Sequence, residues 1–258
     1  MALRVNIKGA TAVVVGGASG MGRAAAAAMA GLGAKVAVVD LPGSGGAEVA
    51  GELGPGSVFH PADVTDADGI QAALRAAVAD LGGLRIAVNT AGGGIAKRTL
   101  SREGPHPLDR FRAVIELNLI ATFNLNRLQA EHMSLNAAVD GERGVIINTA
   151  SIAAFEGQIG QVAYSAAKAG IVGMTLTMAR DLGSLGIRVM TIAPSLFATG
   201  ITAAIPDEMA AALTRDAAYP QRMGRPGEYA ALAVAIAENQ MLNGGTIRLD
   251  GGQRFAPK

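Results

Sequence analysis

The chain has 258 residues, half of them apolar and 17% charged, with 35 glycines and a formal net charge of +1. Such a composition describes a compact globular protein with one large core and excludes a disordered or fibrous chain. A near-neutral chain with no Lys/Arg run offers no field for a phosphate backbone, so no nucleic-acid partner is expected. The absence of cysteine excludes disulfides, thiolate catalysis and Cys-ligated zinc, and a reducing, cytoplasmic setting is the expectation.

The opening residues carry charges at Arg4 and Lys8 and no apolar signal segment, which argues against a leader peptide. No uncharged apolar stretch reaches the roughly 20 residues of a membrane helix, so no membrane partner is expected. Short β-branched runs recur at 11–15, 36–39, 86–88, 145–148, 189–192 and 246–249. Ala/Leu-rich stretches of helical period lie between them, among them 23–32 and a helix beginning near Pro226. Apolar strands alternating with helices predict an α/β fold, a single-domain Rossmann-like doubly wound parallel sheet with helices on both faces over 1–258. Two segments read as irregular, 92–107 with Lys97, Arg98 and Arg102, and 194–206. Both follow strands at their carboxyl ends, where open α/β sheets bind ligands.

The first run ends in Val15-Gly16-Gly17-Ala18-Ser19-Gly20-Met21-Gly22 and leads straight into a helix. Glycines there let the backbone approach a pyrophosphate, and the helix N-terminus offers free N–H groups and partial positive charge. The spacing is not that of G-x-G-x-x-G, and Arg23-Ala24 stand where a P-loop needs Lys and Ser/Thr. The competing reading is a tight turn that binds nothing. The second run ends at Asp40, followed by Leu41, about twenty residues on, where a carboxylate can accept the adenosine ribose hydroxyls. No arginine follows to take a 2′-phosphate, so NAD is the expected cofactor. Asp63-Val64 is placed to contact the adenine, although an aspartate before Thr65-Asp66 also suits a helix cap.

Tyr164 and Lys168 stand four apart, neighbours on one face of a helix. A free phenol is too weak a base at neutral pH, but an ammonium about 4 Å away at an effective dielectric near 20 is worth about 4 kcal/mol, roughly three pK units before burial costs. Tyr164 then acts as general base for alcohol oxidation and general acid for the reverse. Ser151, at the end of a strand, can hydrogen-bond the substrate oxygen. Read alone, Tyr164 and Lys168 are an ordinary amphipathic pair. Ser151 as a hydrolytic nucleophile lacks a G-x-S-x-G elbow and has only His60, His106 and His132 as imidazole partners. No ligand spacing suggests a metal.

In chain order, Gly16/Gly20/Gly22, Asn89-Thr90-Ala91-Gly92, Asn118, Ser151 and Tyr164-x-x-x-Lys168 resemble the pattern of the short-chain dehydrogenase/reductase family over nearly the whole chain. The resemblance implies that Gly16, Ser19, Gly20, Met21, Gly22, Asp40, Leu41, Asp63, Val64, Asn89, Thr90, Ala91, Gly92, Tyr164, Lys168, Pro194, Phe197 and Thr199 bind the cofactor, the last two at its nicotinamide end. It implies that Ser151 and Tyr164 bind substrate, that Lys168 holds the nicotinamide ribose and lowers the tyrosine pKa, and that Asn118 helps hold a water in a proton relay. Val15, Thr90 and Ser195 depart from the family's Thr, second Asn and Gly. Within the family, Asp40-Leu-Pro-Gly-Ser-Gly-Gly, Ala154-Phe-Glu-Gly-Gln and Arg188-Val-Met-Thr-Ile-Ala-Pro are similar to members that oxidise 3-hydroxyacyl-CoA. That implies NAD-dependent oxidation of an (S)-3-hydroxyacyl-CoA to the 3-oxoacyl-CoA and a homotetramer. A steroid or general secondary-alcohol dehydrogenase, a 3-oxoacyl carrier-protein reductase, and a dinucleotide-binding sensor or assembly subunit are the competing readings. Only the last has no use for Ser151, Tyr164 and Lys168 together.

Overall fold

The computed structural model of the chain describes residues 7–200, 202 and 205–257. Arg4 and residues 201, 203 and 204 of the second irregular segment lie outside them. In chain order the elements are β1 (Thr11–Val15), α1 (Gly20–Gly31), β2 (Lys35–Asp40), α2 (Gly46–Leu53), β3 (Val58–Pro61), α3 (Ala67–Leu81) and β4 (Ile86–Asn89). A small hairpin, β5 (Leu100–Ser101) and β6 (Gly104–Pro105), is followed by α4 (Leu108–Ile115), α5 (Ala121–Ser134), β7 (Gly144–Thr149), α6 (Val162–Gly183), β8 (Ile187–Pro194), α7 (Asp207–Thr214), α8 (Pro226–Glu238) and β9 (Thr246–Leu249).

Seven strands form one parallel sheet in the order β3-β2-β1-β4-β7-β8-β9. Every residue of β7 and β8 is buried, as a strand covered on both faces requires. The two-residue alternation divides the core between those faces. Ala12, Val14, Val36, Val38, Val145 and Ile147 pack with α1 and α8. Val13, Val15, Ala37, Val39, Ile146 and Val189 pack with α3, α5 and α6. The doubly wound parallel sheet expected from the sequence is therefore present. The chain walks outward from β1 through β2 to β3, then crosses to β4 on the other side of β1, and that reversal opens a crevice at the strands' carboxyl ends.

Two local features differ from the sequence expectation. The segment 92–107, read as irregular, contains the β5–β6 hairpin, with Leu100 opposite Pro105 and Ser101 opposite Gly104. Its strands are too short, and too interrupted by Pro and Gly, to show a two-residue hydrophobic period. Between α4 and α5 the helix widens into a π-turn at Glu116–Ile120, an insertion that leaves no periodic trace and often marks functional sites. Among the described residues, no helix is long and apolar enough to cross a membrane.

Candidate active site

Two clefts meet at the carboxyl ends of the central strands, sharing Thr90 and Gly92. The larger, about 400 Å³, is lined by Gly16 and Ser19 of the glycine turn, by Asp40 and Leu41 after β2, and by Asp63 and Val64 after β3. The turn tolerates nothing but glycine at two points. A Cβ on Gly22 would stand 2.1 Å from the Gly16 carbonyl oxygen, and one on Gly16, whose φ is +79°, 2.6 Å from the Ala91 nitrogen. The Thr90 hydroxyl shares its proton between the Val15 and Gly16 carbonyls at 2.9 and 3.1 Å, fastening the turn from the β4 side. The α1 N-terminus, next to the cleft-lining Ser19, receives no side-chain cap from it, which leaves first-turn N–H groups available to a ligand.

Asp40 accepts the Ala18 N–H on one oxygen at 2.9 Å and the Leu41 N–H on the other at 2.8 Å. Each oxygen retains a lone pair for a ligand hydroxyl. The two readings of the Asp63 region both hold in part. Asp66 is the residue that caps α3, accepting the Gly69 N–H at 3.1 Å. Asp63 lines the cleft, with one oxygen taking the Thr65 N–H at 2.8 Å and its hydroxyl at 2.7 Å, and these bonds lower its carboxyl pKa. Asn89 is a correction. Its side chain turns from the cleft into the core, where it exchanges hydrogen bonds with Gln129 at 2.8 and 2.9 Å and donates to Asn148 at 3.0 Å.

The second cleft, about 220 Å³, brings Ser151, Tyr164, Lys168, Pro194, Phe197 and Thr199 together with Met21 of the glycine turn. Ser151 leaves β7 and opens a 3-10 turn, its Oγ accepting the Ala153 N–H at 3.1 Å. Tyr164 and Lys168 occupy successive turns at the start of α6. The Lys168 ammonium sits 5.5 Å from the Tyr164 ring centroid and donates to the Thr149 carbonyl at 3.0 Å. Burial holds the Tyr164 phenol above its ordinary pKa, with Ser151 pulling it down, and burial takes the Lys168 ammonium down to about 8. The Lys168 ammonium thus lies over the Tyr164 ring, and desolvation outweighs the Ser151 hydrogen bond in setting the direction of the phenol's shift.

Asn118 lies in the π-turn, fully buried. It accepts the Gly93 N–H at 3.2 Å and spends its amide protons on the carbonyls of Gly93 and Val114 at 2.7 and 2.9 Å. It thereby fastens the 92–94 strip over the start of α6. A Cβ on Gly94 would meet the Tyr164 ring at 2.8 Å, and one on Gly92 would meet Asn118 at 2.7 Å and Lys168 at 3.2 Å. Sequence reasoning missed Leu117, which lines the nucleotide cleft, and Thr202, whose hydroxyl ties Phe197 and Thr199. Thr149 was also missed, although its position two residues before Ser151 on the same strand was the available signal. Phe197 lines the cleft with a ring packed into the core beside Gly224.

The histidines stand elsewhere. His60 contacts Asp80 at 3.0 Å, His106 the Pro107 carbonyl at 2.9 Å, and His132 occupies the last turn of α5. Among the described residues there is no group of three or more His, Asp or Glu suited to a metal. Uncapped helix amides, a glycine turn with no room for side chains, and an acid with spare lone pairs make up a donor set that fits a diphosphate joined to a ribose.

Residues 10–210 match the family model described as short chain dehydrogenase. The human protein called 3-hydroxyacyl-CoA dehydrogenase type-2 is 50% identical over 98% of each chain. The protein of that name from Drosophila melanogaster is 51% identical over 97% of this chain and 100% of its own. The crystal structure of 3-hydroxyacyl-CoA dehydrogenase type-2 from Mycobacterium avium superposes with a TM-score of 0.93 at 43% identity, covering 97% of this chain and 98% of that one.

Proposed function

The chain belongs to the short-chain dehydrogenase family and is an oxidoreductase, and from that premise we propose that it uses a nicotinamide dinucleotide and oxidises an (S)-3-hydroxyacyl-CoA to the 3-oxoacyl-CoA with NAD, using Tyr164 as general acid and base. The observation that carries this reading is the convergence of Ser151, Tyr164 and Lys168 on a cleft that shares Thr90 and Gly92 with the nucleotide cleft.

Asp40 supports NAD over NADP, because a 2′-phosphate would meet its negative charge and no arginine stands in Leu41-Pro42-Gly43-Ser44. When bound, the oxidised nicotinamide would supply the hydride acceptor and a positive charge. The residues do the rest. Ser151 donates to the substrate oxygen and so aims the substrate's own hydroxyl proton at Tyr164. Tyr164 as phenolate takes the hydroxyl proton during oxidation, and as phenol returns it during reduction. Lys168, held by Thr149, favours the phenolate. Gly92 to Gly94 and Asn118 cover this helix.

The full-length relatives named for 3-hydroxyacyl-CoA support that substrate. Arg98 and Arg102 add a physical reason: both are exposed on the 92–107 segment, which starts at the cleft-lining Gly92, while Lys97 is engaged by Glu103 at 3.3 Å. Guanidinium groups suit the CoA phosphates. Charge reversal at Arg98 and Arg102 is expected to raise KM for an acyl-CoA several-fold more than KM for an uncharged alcohol; equal effects on both would reject a CoA role.

The function itself is tested by following absorbance at 340 nm with NAD or NADP against short and branched 3-hydroxyacyl-CoAs and steroid alcohols. The expected result is turnover with the acyl-CoA and NAD. Preference for NADPH with a carrier-protein thioester would install the reductase reading instead.

A further inference from the structure

Thr149, at the carboxyl end of β7, is gripped from both faces of the sheet. Its side chain follows Val145 and Ile147 onto the face packed with α1 and α8, where its hydroxyl meets the Tyr229 phenol at 2.7 Å and the Asn89 carbonyl at 2.7 Å. Its main-chain carbonyl is the acceptor for Lys168, which arrives on α6 from the opposite face. The direction of the hydrogen bonds is fixed by counting protons. A carbonyl cannot donate, so the single hydroxyl proton of Thr149 goes to Asn89, and Tyr229 must donate to Thr149. Tyr229 is fully buried, and burial raises its pKa strongly, so the phenol stays a donor across the working pH range.

We propose that Tyr229 is a positioning residue for the catalytic lysine, its phenol holding Thr149 so that the Thr149 carbonyl stands where the Lys168 ammonium needs an acceptor. This rests on the assignment of Tyr164 and Lys168 above. The physical need is specific. Lys168 is buried, and the charge of an ammonium survives burial only where acceptors satisfy it. The groups around it are the Tyr164 ring on its own helix, Asn118 and Gly92 from the cover, and the Thr149 carbonyl. Among the described residues no carboxylate is bonded to it, and burial drives its shift. The carbonyl therefore carries much of the local stabilisation. Neither Tyr229 nor Asn89 lines the catalytic cleft, so Tyr229 acts through Thr149 and touches no reacting atom.

The test pairs Tyr229→Phe, which removes one oxygen and keeps the ring, with Thr149→Val and Thr149→Ser. Tyr229→Phe is expected to lower kcat for alcohol oxidation about three- to tenfold with KM for NAD and for the alcohol within twofold. The acid limb of its kcat–pH profile moves up by roughly half a unit, because a less stabilised ammonium favours the phenolate less. Thr149→Val shows the same change, Thr149→Ser restores the profile, and adding Tyr229→Phe to Thr149→Val changes nothing further. An NMR titration of labelled Lys168 without cofactor should give a lower pKa in Tyr229→Phe than in the parent. Loss of melting temperature with kcat, pH profile and lysine titration unmoved would leave Tyr229 as core packing and overturn the proposal. So would a Thr149→Ser variant as impaired as Thr149→Val. Parallel Tyr164→Phe measurements separate the two layers: if turnover is lost there while Tyr229→Phe is silent, only the positioning role fails; if turnover survives, the assignment of the base fails and takes the positioning role with it.

Discussion

Lys168 illustrates how a residue can be legible in sequence while its energetics are not. The four-residue step from Tyr164 identifies the pair, and a Coulomb estimate at 4 Å makes the lysine a strong acidifier of the phenol. In the folded chain the ammonium stands 5.5 Å from the ring centroid and bonds Thr149, and desolvation leads both pKa shifts. The lysine has a depressed pKa in the fold, about 8 against 10.5. Below about pH 8 both folded and unfolded chains hold the proton and the burial cost is present in full. Between about 8 and 10.5 the folded chain releases it first, and stability rises with pH. Urea unfolding of the parent and of Lys168→Met at pH 7 and 9.5 should therefore shift the difference between them by about 2 kcal/mol in the parent's favour at the higher pH. A difference independent of pH would show that the lysine is not buried as an ammonium. Asn89 makes the complementary point. A motif identifies the residue, but whether its amide points at ligand or core depends on Gln129 and Asn148, which lie 40 and 59 positions away.

Among elements, the strands were the most legible, because β-branched runs covered on both faces carry no competing helical period. The run 11–15 is β1 to the residue, whereas 189–192 extends to Ile187–Pro194. The extension includes Arg188, whose charge masks the strand pattern and whose role is tertiary. Its guanidinium pairs with the nearly buried Glu142 at 3.0 Å and donates to the carbonyls of Ile236, Ala237 and Leu242 at 2.7 to 3.1 Å, satisfying the open end of α8. Arg188→Met should cost about 3–5 kcal/mol, because Glu142 and those carbonyls lose their partner. The catalytic residues lie at the opposite ends of the strands, so kcat of the folded variant should stay close to the parent's. Denaturant unfolding beside steady-state kinetics checks both halves; a loss below 1 kcal/mol would mean that water replaces the guanidinium. The π-turn holding Asn118 and the β5–β6 hairpin were illegible for a shared reason: neither has enough residues to show a period.

For the whole molecule, alternation of strand and helix gave the architecture, and the order β3-β2-β1-β4-β7-β8-β9 explains why residues as distant as Gly16, Asp40, Thr90, Ser151 and Lys168 share one crevice. The first four come from the carboxyl end of a strand or the segment after it, Lys168 comes from the first turns of α6, and the crossover beside β1 keeps those ends open. Sequence could place the first four at such an end. It could not show that Thr90 and Gly92 join a nucleotide cleft to a catalytic one, nor that Asn118 fastens the glycine strip covering Tyr164. In the proposed reaction Tyr164 moves the proton at this junction while the nucleotide is held mainly by the glycine turn and Asp40. The most direct measurement is Tyr164→Phe, with NAD affinity by calorimetry and oxidation of a 3-hydroxyacyl-CoA followed at 340 nm. The expected result is NAD binding within a few-fold of the parent with kcat reduced by about 10²–10⁴; substantial residual turnover with NAD binding intact would contradict it.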